Sequence, residues 1–244
     1  MPDTALLAMT WRVTRRRLVS SPLAIAAGLA FPALVAGIGL TDSYETAAKL
    51  FFFLLPHVFL IAAQDTVRSD IEGGALESVL FLGGRFRGYL RAKSLVLAAA
   101  AGAYSCGLFL LFAAWGAAAG AFKPVFAVRF GLAVLAGLYY IALAGALSYV
   151  LRAGSNVLAL LLAQSAALIG LVFSASSRTG LLDYAATGRF PGVGPKLLFG
   201  ALVAVLPNVV VSGRLPAFAG QVLAGLVLAL FIQHRLARRT EIRS

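Results

Sequence analysis

The sequence predicts an all-α, polytopic membrane protein, and three features predict it. The 244 residues are 61% hydrophobic, with a mean hydropathy of +0.92. Only 12% are charged, where a soluble domain carries about a quarter. The apolar residues gather into runs of about 20, the length that crosses a bilayer as a helix. Lys and Arg punctuate these runs instead of forming a face of their own. A soluble core is excluded on that ground. The formal net charge of +12 reads as charge-biased insertion and contact with anionic lipid, not as nucleic-acid binding. The single cysteine, Cys106, sits inside an apolar run, so no intrachain disulfide forms and no metal-ligand spacing exists.

Residues 4–20 come first. Leu7, Trp11, Thr14 and Leu18 share one rough helical stripe, with Arg12, Arg15 and Arg16 to its side. This predicts a short helix in the membrane interface with Trp11 at headgroup depth. The basic run followed by apolar residues also fits a signal peptide, but 21–40 is long enough to span, and we read it as an uncleaved first span.

The second span is expected at about 46–63, with Pro56 and His57 in its middle. Proline frees a backbone carbonyl in a membrane helix. An ionisable residue at mid-membrane is a functional candidate, and the plain structural alternative is a neutral imidazole bonded to that freed carbonyl or to a neighbouring helix. The third span is expected at about 94–119, where Gly116 and Gly120 have the small-xxx-small spacing of close helix approach. The fourth follows at about 130–151 and the fifth at about 157–175. An outer segment, 176–216, holds PGVGP and an apolar stretch, 197–211, interrupted by Pro207 and Asn208. The last span is expected at about 217–233.

Six spans with both termini inside sort the basic residues two to one. The inner set is Arg12, Arg15, Arg16, Arg17, Arg68, Arg85, Arg87, Arg91, Lys93, Arg152, Arg235, Arg238, Arg239 and Arg243. The outer set is Lys49, Lys123, Arg129, Arg178, Arg189, Lys196 and Arg214. That is the bias the positive-inside rule requires. A full crossing by 197–211 would expose one terminal cluster on the outside, so we read that stretch as a re-entrant or interfacial helix on the outer side, its backbone buried in protein.

One loop, 64–93, holds four of the nine acidic residues (Asp65, Asp70, Glu72, Glu77) together with Arg68, Arg85, Arg87, Arg91 and Lys93. It cannot sit in lipid. Residues 77–82 are apolar enough for a short helix against the membrane, which Gly83 and Gly84 would end. The order, acids first and bases last, is the one a helix dipole prefers.

This loop resembles the one that enters the third span in permeases of the type-2 ABC transporter family. Gly74, Ala75, Leu76 and Glu77 stand where the family has G-T-L-E. Leu80 and Leu82 take its apolar positions, Arg85 and Arg87 its basic stretch, and Lys93 the lysine of its G-K. The sequence departs from the pattern at Gly73, Ala75, Gly83 and Ala92. The layout is similar too: a basic interfacial helix, six spans, a broken outer segment and an Arg-rich end.

The resemblance implies a permease that pairs with a second copy or a homologue and exports substrate from the cytoplasm across a bacterial-type inner membrane. It implies that 64–93 is a coupling element seated on a separate ATPase subunit, which binds ATP and Mg. The coupling residues would then be Asp70, Glu72, Leu76, Glu77, Leu80, Arg85 and Arg87. It also implies a substrate path at the dimer interface, lined by the first, second and fifth spans and closed outside by 176–216.

The chain itself has no G-x-x-x-x-G-K-[ST] and no H-E-x-x-H or G-x-S-x-G, so it is expected to be a permease without enzymatic activity, metal or cofactor of its own. The few polar groups in the spans suit a hydrophobic or amphipathic substrate. His57, Pro56, Tyr104 and Gln164 are the candidate path residues. A haem-exporter-type B subunit of cytochrome c maturation, or a membrane assembly or anchoring protein without transport, are the alternative readings.

Overall fold

The computed structural model of the chain describes residues 3–63, 86–149, 193, 205–210 and 214–243. Among the described residues there are six helices and no strand. They are α1 (Asp3–Ser20), α2 (Pro22–Thr41), α3 (Tyr44–Ala62), α4 (Phe86–Ala118), α5 (Val125–Leu147) and α6 (Leu215–Arg243). All but α1 are long and apolar enough to cross a membrane. The chain is a helical, multi-pass membrane protein. The expected fifth span (157–175), the loop 64–85 and most of the outer segment lie outside the described residues.

Local sequence sets the helix ends. Ser21 and Ser43 cap α2 and α3, their hydroxyls accepting from the amides of Ala24 and Thr46, the usual work of an N-cap serine. Gly120, at φ 66°, ends α4 in a Schellman turn. Its amide bonds the carbonyl of Ala117, and the Ala121 amide reaches back to Gly116 at 2.8 Å. The two glycines of the expected packing motif thus have separate roles. Gly120 turns the chain, while Gly116 lies against the Tyr44 ring with no room for a Cβ.

Three spans differ in extent from expectation. Helix α4 begins at Phe86 instead of near 94, so Arg87, Arg91 and Lys93 ride on its first turns and not on a loop. Its 33 residues are about 50 Å long, well beyond the roughly 30 Å hydrocarbon core. The overhang is held by a small cluster of Tyr89, Leu90 and Ala237, against which Leu6 and Tyr149 pack. Helix α6 likewise runs on to Arg243, because its final residues are good helix formers with no glycine or proline to stop them. Helix α5 starts at Val125 and ends at Leu147.

Helix α1 is present, but the first half of its buried stripe is shifted by one residue. Thr10 and Thr14 are buried, whereas Leu7 and Trp11 are exposed. The face turned to α4 follows Leu6, Thr10, Thr14 and Leu18. Thr10 can be buried because its hydroxyl donates to the Leu6 carbonyl one turn back at 2.7 Å. Trp11 is left on the outer edge of the helix.

Pairs of neighbours fix the helix directions. Tyr104 donates to the Gly28 carbonyl, and Gly39 abuts the Trp115 indole, so α2 and α4 run together. Tyr44 meets Trp115 while Phe51 meets Phe109, so α3 runs against α4. Phe52 meets Phe126 and Phe59 meets Gly137, so α5 follows α3. Gly225 meets Tyr139 and Gln233 meets Gly145, so α6 follows α5. One end of the bundle therefore collects α1, the starts of α2 and α4, and the ends of α3, α5 and α6. Arg12, Arg15, Arg16, Arg17, Arg87, Arg91, Lys93, Arg235 and Arg238 all belong to that end. The other end has Lys49, Lys123, Arg129 and Arg214, with Lys123 paired to Glu45 at 3.3 Å.

The core is aromatic at this second end. Phe112 stacks on Tyr44 and on Phe51, with ring centroids 4.5 and 4.8 Å apart, and Phe109 stacks on Phe130 at 4.2 Å. Such offset pairs add to simple burial. Large apolar side chains on α2, α4 and α6, including Leu29, Leu40, Leu110, Leu111 and Val227, are exposed. For helices of this length, that is the surface lipid or another subunit covers.

Candidate functional site

Two features meet near the middle of α3: a buried polar knot and an apolar cavity. The knot begins with Pro56. Its missing N–H leaves the Phe52 carbonyl without its helical donor. His57, expected as a path residue or as an imidazole bonded to that freed carbonyl or to a neighbouring helix, bonds the next carbonyl of its own helix. Its Nδ1 lies 3.1 Å from the Phe53 oxygen, and because a carbonyl only accepts, the proton sits on Nδ1. The same oxygen accepts from Asn208 Nδ2 at 2.9 Å.

Asn208 belongs to the segment 205–210, which is not helical beyond Val205. Leu206, Asn208 and Val209 are all buried. Irregular backbone at this depth must find partners inside the protein, and it does. Tyr139 donates to the Val205 carbonyl at 2.8 Å and Tyr140 to the Pro207 carbonyl at 3.3 Å. Asn208 Oδ1 accepts from the Val210 amide at 3.0 Å. The Tyr140 ring stands edge-on to His57, 6.0 Å between centroids. Tyr139, Tyr140 and Asn208 were legible as polar groups within apolar runs. What the sequence did not reveal is that they converge on one segment.

The segment lies level with Tyr139, whereas Leu215 starts α6 about 15 Å higher, ten residues above Gly225.

The cavity, about 700 Å³, opens between α2, α3 and α4 beside the end of α1. Its size falls in the ordinary range for small-molecule sites. Phe31, Phe53 and His57 form its buried floor, and Val19, Ile25, Leu34 and Tyr104 its exposed rim. The walls are almost wholly apolar, with His57 and the Tyr104 hydroxyl the main polar groups.

Two of the four expected path residues, His57 and Tyr104, thus share one cavity. Pro56 is buried behind it in α3 and shapes it without lining it. Gln164 lies outside the described residues. Of the expected coupling residues, Arg87 sits on the first turn of α4. Asp70, Glu72, Leu76, Glu77, Leu80 and Arg85 lie outside the described residues. Among the described residues, no group of three His, Cys, Asp or Glu could hold a metal ion. Neither protein-family models nor curated proteins give a match to this chain.

Proposed function

We propose that this chain is the transmembrane subunit of an exporter of the type-2 ABC kind. It moves a hydrophobic or amphipathic substrate out of the cytoplasm. A separate ATPase subunit, binding ATP and Mg, docks on 64–93, and a second permease copy or homologue completes the transporter. The arginine-rich end faces the cytoplasm by the positive-inside rule, so both termini lie there.

The observation that carries this reading is the parallel course of α5 and α6 with a buried, non-helical segment just before α6. Two helices that run the same way need an odd number of crossings between them. One span plus a dip that enters and returns satisfies this, and a full crossing by 197–211 in addition to a fifth span does not. The hydrogen bonds on 205–210 supply what a re-entrant segment needs at that depth. The overhang of α4, braced by α1 and α6, supports the coupling role. It joins 64–85 to a span through a continuous helix, which passes on a push instead of absorbing it.

The test is a mild-detergent pull-down of the tagged chain from its native host, with partners identified by mass spectrometry. The expected result is a near one-to-one ATPase with a phosphate-binding loop, lost in Glu77→Arg. Recovery of a homo-oligomer with no nucleotide-binding partner would overturn the reading.

A further inference from the structure

The cavity has the height of one lipid leaflet. Along α3 its lining runs from Phe53 to Ala62, a rise of about 14 Å. Half of a roughly 30 Å hydrocarbon core is about the same. Ala62 lies at the arginine-rich end, and Phe53 lies near mid-depth, where the polar knot closes the floor. The cavity thus reaches from one membrane interface to the bilayer centre and stops there. Its open side faces outward past Ile25 and Leu34, which are about half exposed at 48% and 54%.

What crowns it is basic. Leu18 and Val19, on the last turn of α1, line its interface end. Arg15 precedes them by three and four residues and Arg16 precedes Val19 by three. Residues at those spacings share a helix face, so both arginines stand about one turn from the rim, and both are exposed. Among the described residues, none that lines the cavity is acidic.

We infer that this cavity is a binding site for one anionic lipid of the leaflet on the arginine-rich side. An acyl chain fills the space down to His57, and the phosphate-bearing headgroup lies against Arg15 and Arg16. Charge complementarity selects the occupant. A neutral apolar molecule would use the walls but not the arginines, and a soluble anion would use the arginines but not the walls. The inference rests on the chain being a multi-pass membrane protein and not on ATP-driven export, so the two stand or fall separately.

The test uses the full chain reconstituted into phosphatidylcholine vesicles. These contain a trace of diazirine-acyl phosphatidylglycerol or, in parallel, of diazirine-acyl phosphatidylcholine. Adducts are mapped by mass spectrometry with no ATPase present. The expected result is adducts concentrated on 53–62 and 100–104 and favouring the phosphatidylglycerol probe. In Arg15→Gln that preference should fall roughly five-fold, and again in Arg15→Gln/Arg16→Gln, following the usual contribution of a basic residue near an anionic surface. Arg238→Gln, at the same end but on α6, should leave the preference in place. Ala27→Phe, which narrows the cavity, should lower adducts of both probes. Equal labelling by both probes, or adducts as dense at exposed Leu110 and Leu111 as at the cavity, would overturn the site.

Discussion

Asn208 donates its side-chain amide to the backbone carbonyl of Phe53, a residue 155 positions earlier in the chain, at 2.9 Å. This bond ties the irregular segment before the last helix to the middle of the second spanning helix. In a bundle whose other contacts are almost all apolar, it fixes depth and register where packing alone would allow sliding.

Removing the tie should be measurable. Asn208→Ala leaves the segment without its anchor, and hydrogen bonds between membrane segments typically contribute about 0.6 kcal/mol, reaching roughly 1.7. We expect a loss of about 1 kcal/mol, read as a lower denaturation midpoint in mild detergent. Tyr139→Phe should cost less because it removes one bond where Asn208→Ala removes two, and Tyr140→Phe least because its bond is longest at 3.3 Å. A Cys placed at Val209, in a Cys106→Ser background, should become more reactive to maleimide when Asn208→Ala is added. Unchanged stability and reactivity would remove the anchoring role.

Much of this architecture was legible in the sequence, and the shortfalls share one cause. Apolar runs located all five described spanning helices because lipid tolerates little else. They misjudged where α4 begins and where α6 ends, since helices do not stop at the membrane surface and a run of hydropathy does. Leu7, Trp11, Thr14 and Leu18 suggested one stripe of α1; Thr14 is buried on it, but Leu7 and Trp11 are exposed and Thr10 takes the inner position. Thr10 can be buried there because its hydroxyl bonds the Leu6 carbonyl of its own helix. His57 and Tyr104 stood out as rare polar groups in spans. That they share a cavity depends on α2 running parallel to α4, which no local pattern records.

Close packing makes a second prediction. Gly137 lies against the ring of Phe59 with no space for a Cβ, while Gly131, on the same helix, has open space around it. Gly137→Val forces the ring or the helix to move and should cost about 1–3 kcal/mol. Gly131→Ala should be neutral or stabilise by up to about 1 kcal/mol through helix propensity. The pair is compared by thermal unfolding in detergent, and similar midpoints for the two variants would contradict the packing described.

The turn after α4 makes a third. Gly120 holds φ at 66°, which costs an L-residue with a Cβ about 1 kcal/mol. Gly120→Ala should lower stability by about that amount although nothing surrounds the new methyl. Gly120→Asn should recover part of the loss, since asparagine tolerates the left-handed region. A loss in Gly120→Ala that Gly120→Asn does not reduce would point to a packing role for the glycine instead.

Trp11 reports on where α1 lies. The chain has two tryptophans, and Trp115→Phe leaves Trp11 as the sole emitter. With 45% of its surface exposed on a helix braced beside α4, Trp11 should sit at headgroup depth. Lipids brominated near the carbonyl end of their chains should then quench it more than lipids brominated near the terminal methyl. The reverse order would place α1 inside the hydrocarbon. Quenching by aqueous iodide alone would lift it off the membrane.

The sidedness of the bundle can be read with single cysteines. In a Cys106→Ser background, Lys123→Cys and Arg238→Cys mark the two ends that the helix directions define. Lys123 is exposed and pairs with Glu45 at the surface, a contact expected to contribute less than about 1 kcal/mol, so its loss should not disturb folding. In intact cells, an impermeant maleimide should label Lys123→Cys, and Arg238→Cys only after permeabilisation. Labelling of both from outside would break the parallel course of α5 and α6, because residues at opposite ends of a spanning bundle cannot face the same water. Labelling of Arg238→Cys alone would keep the bundle but invert it. The arginine-rich end would then face outward, against the charge bias that insertion normally obeys.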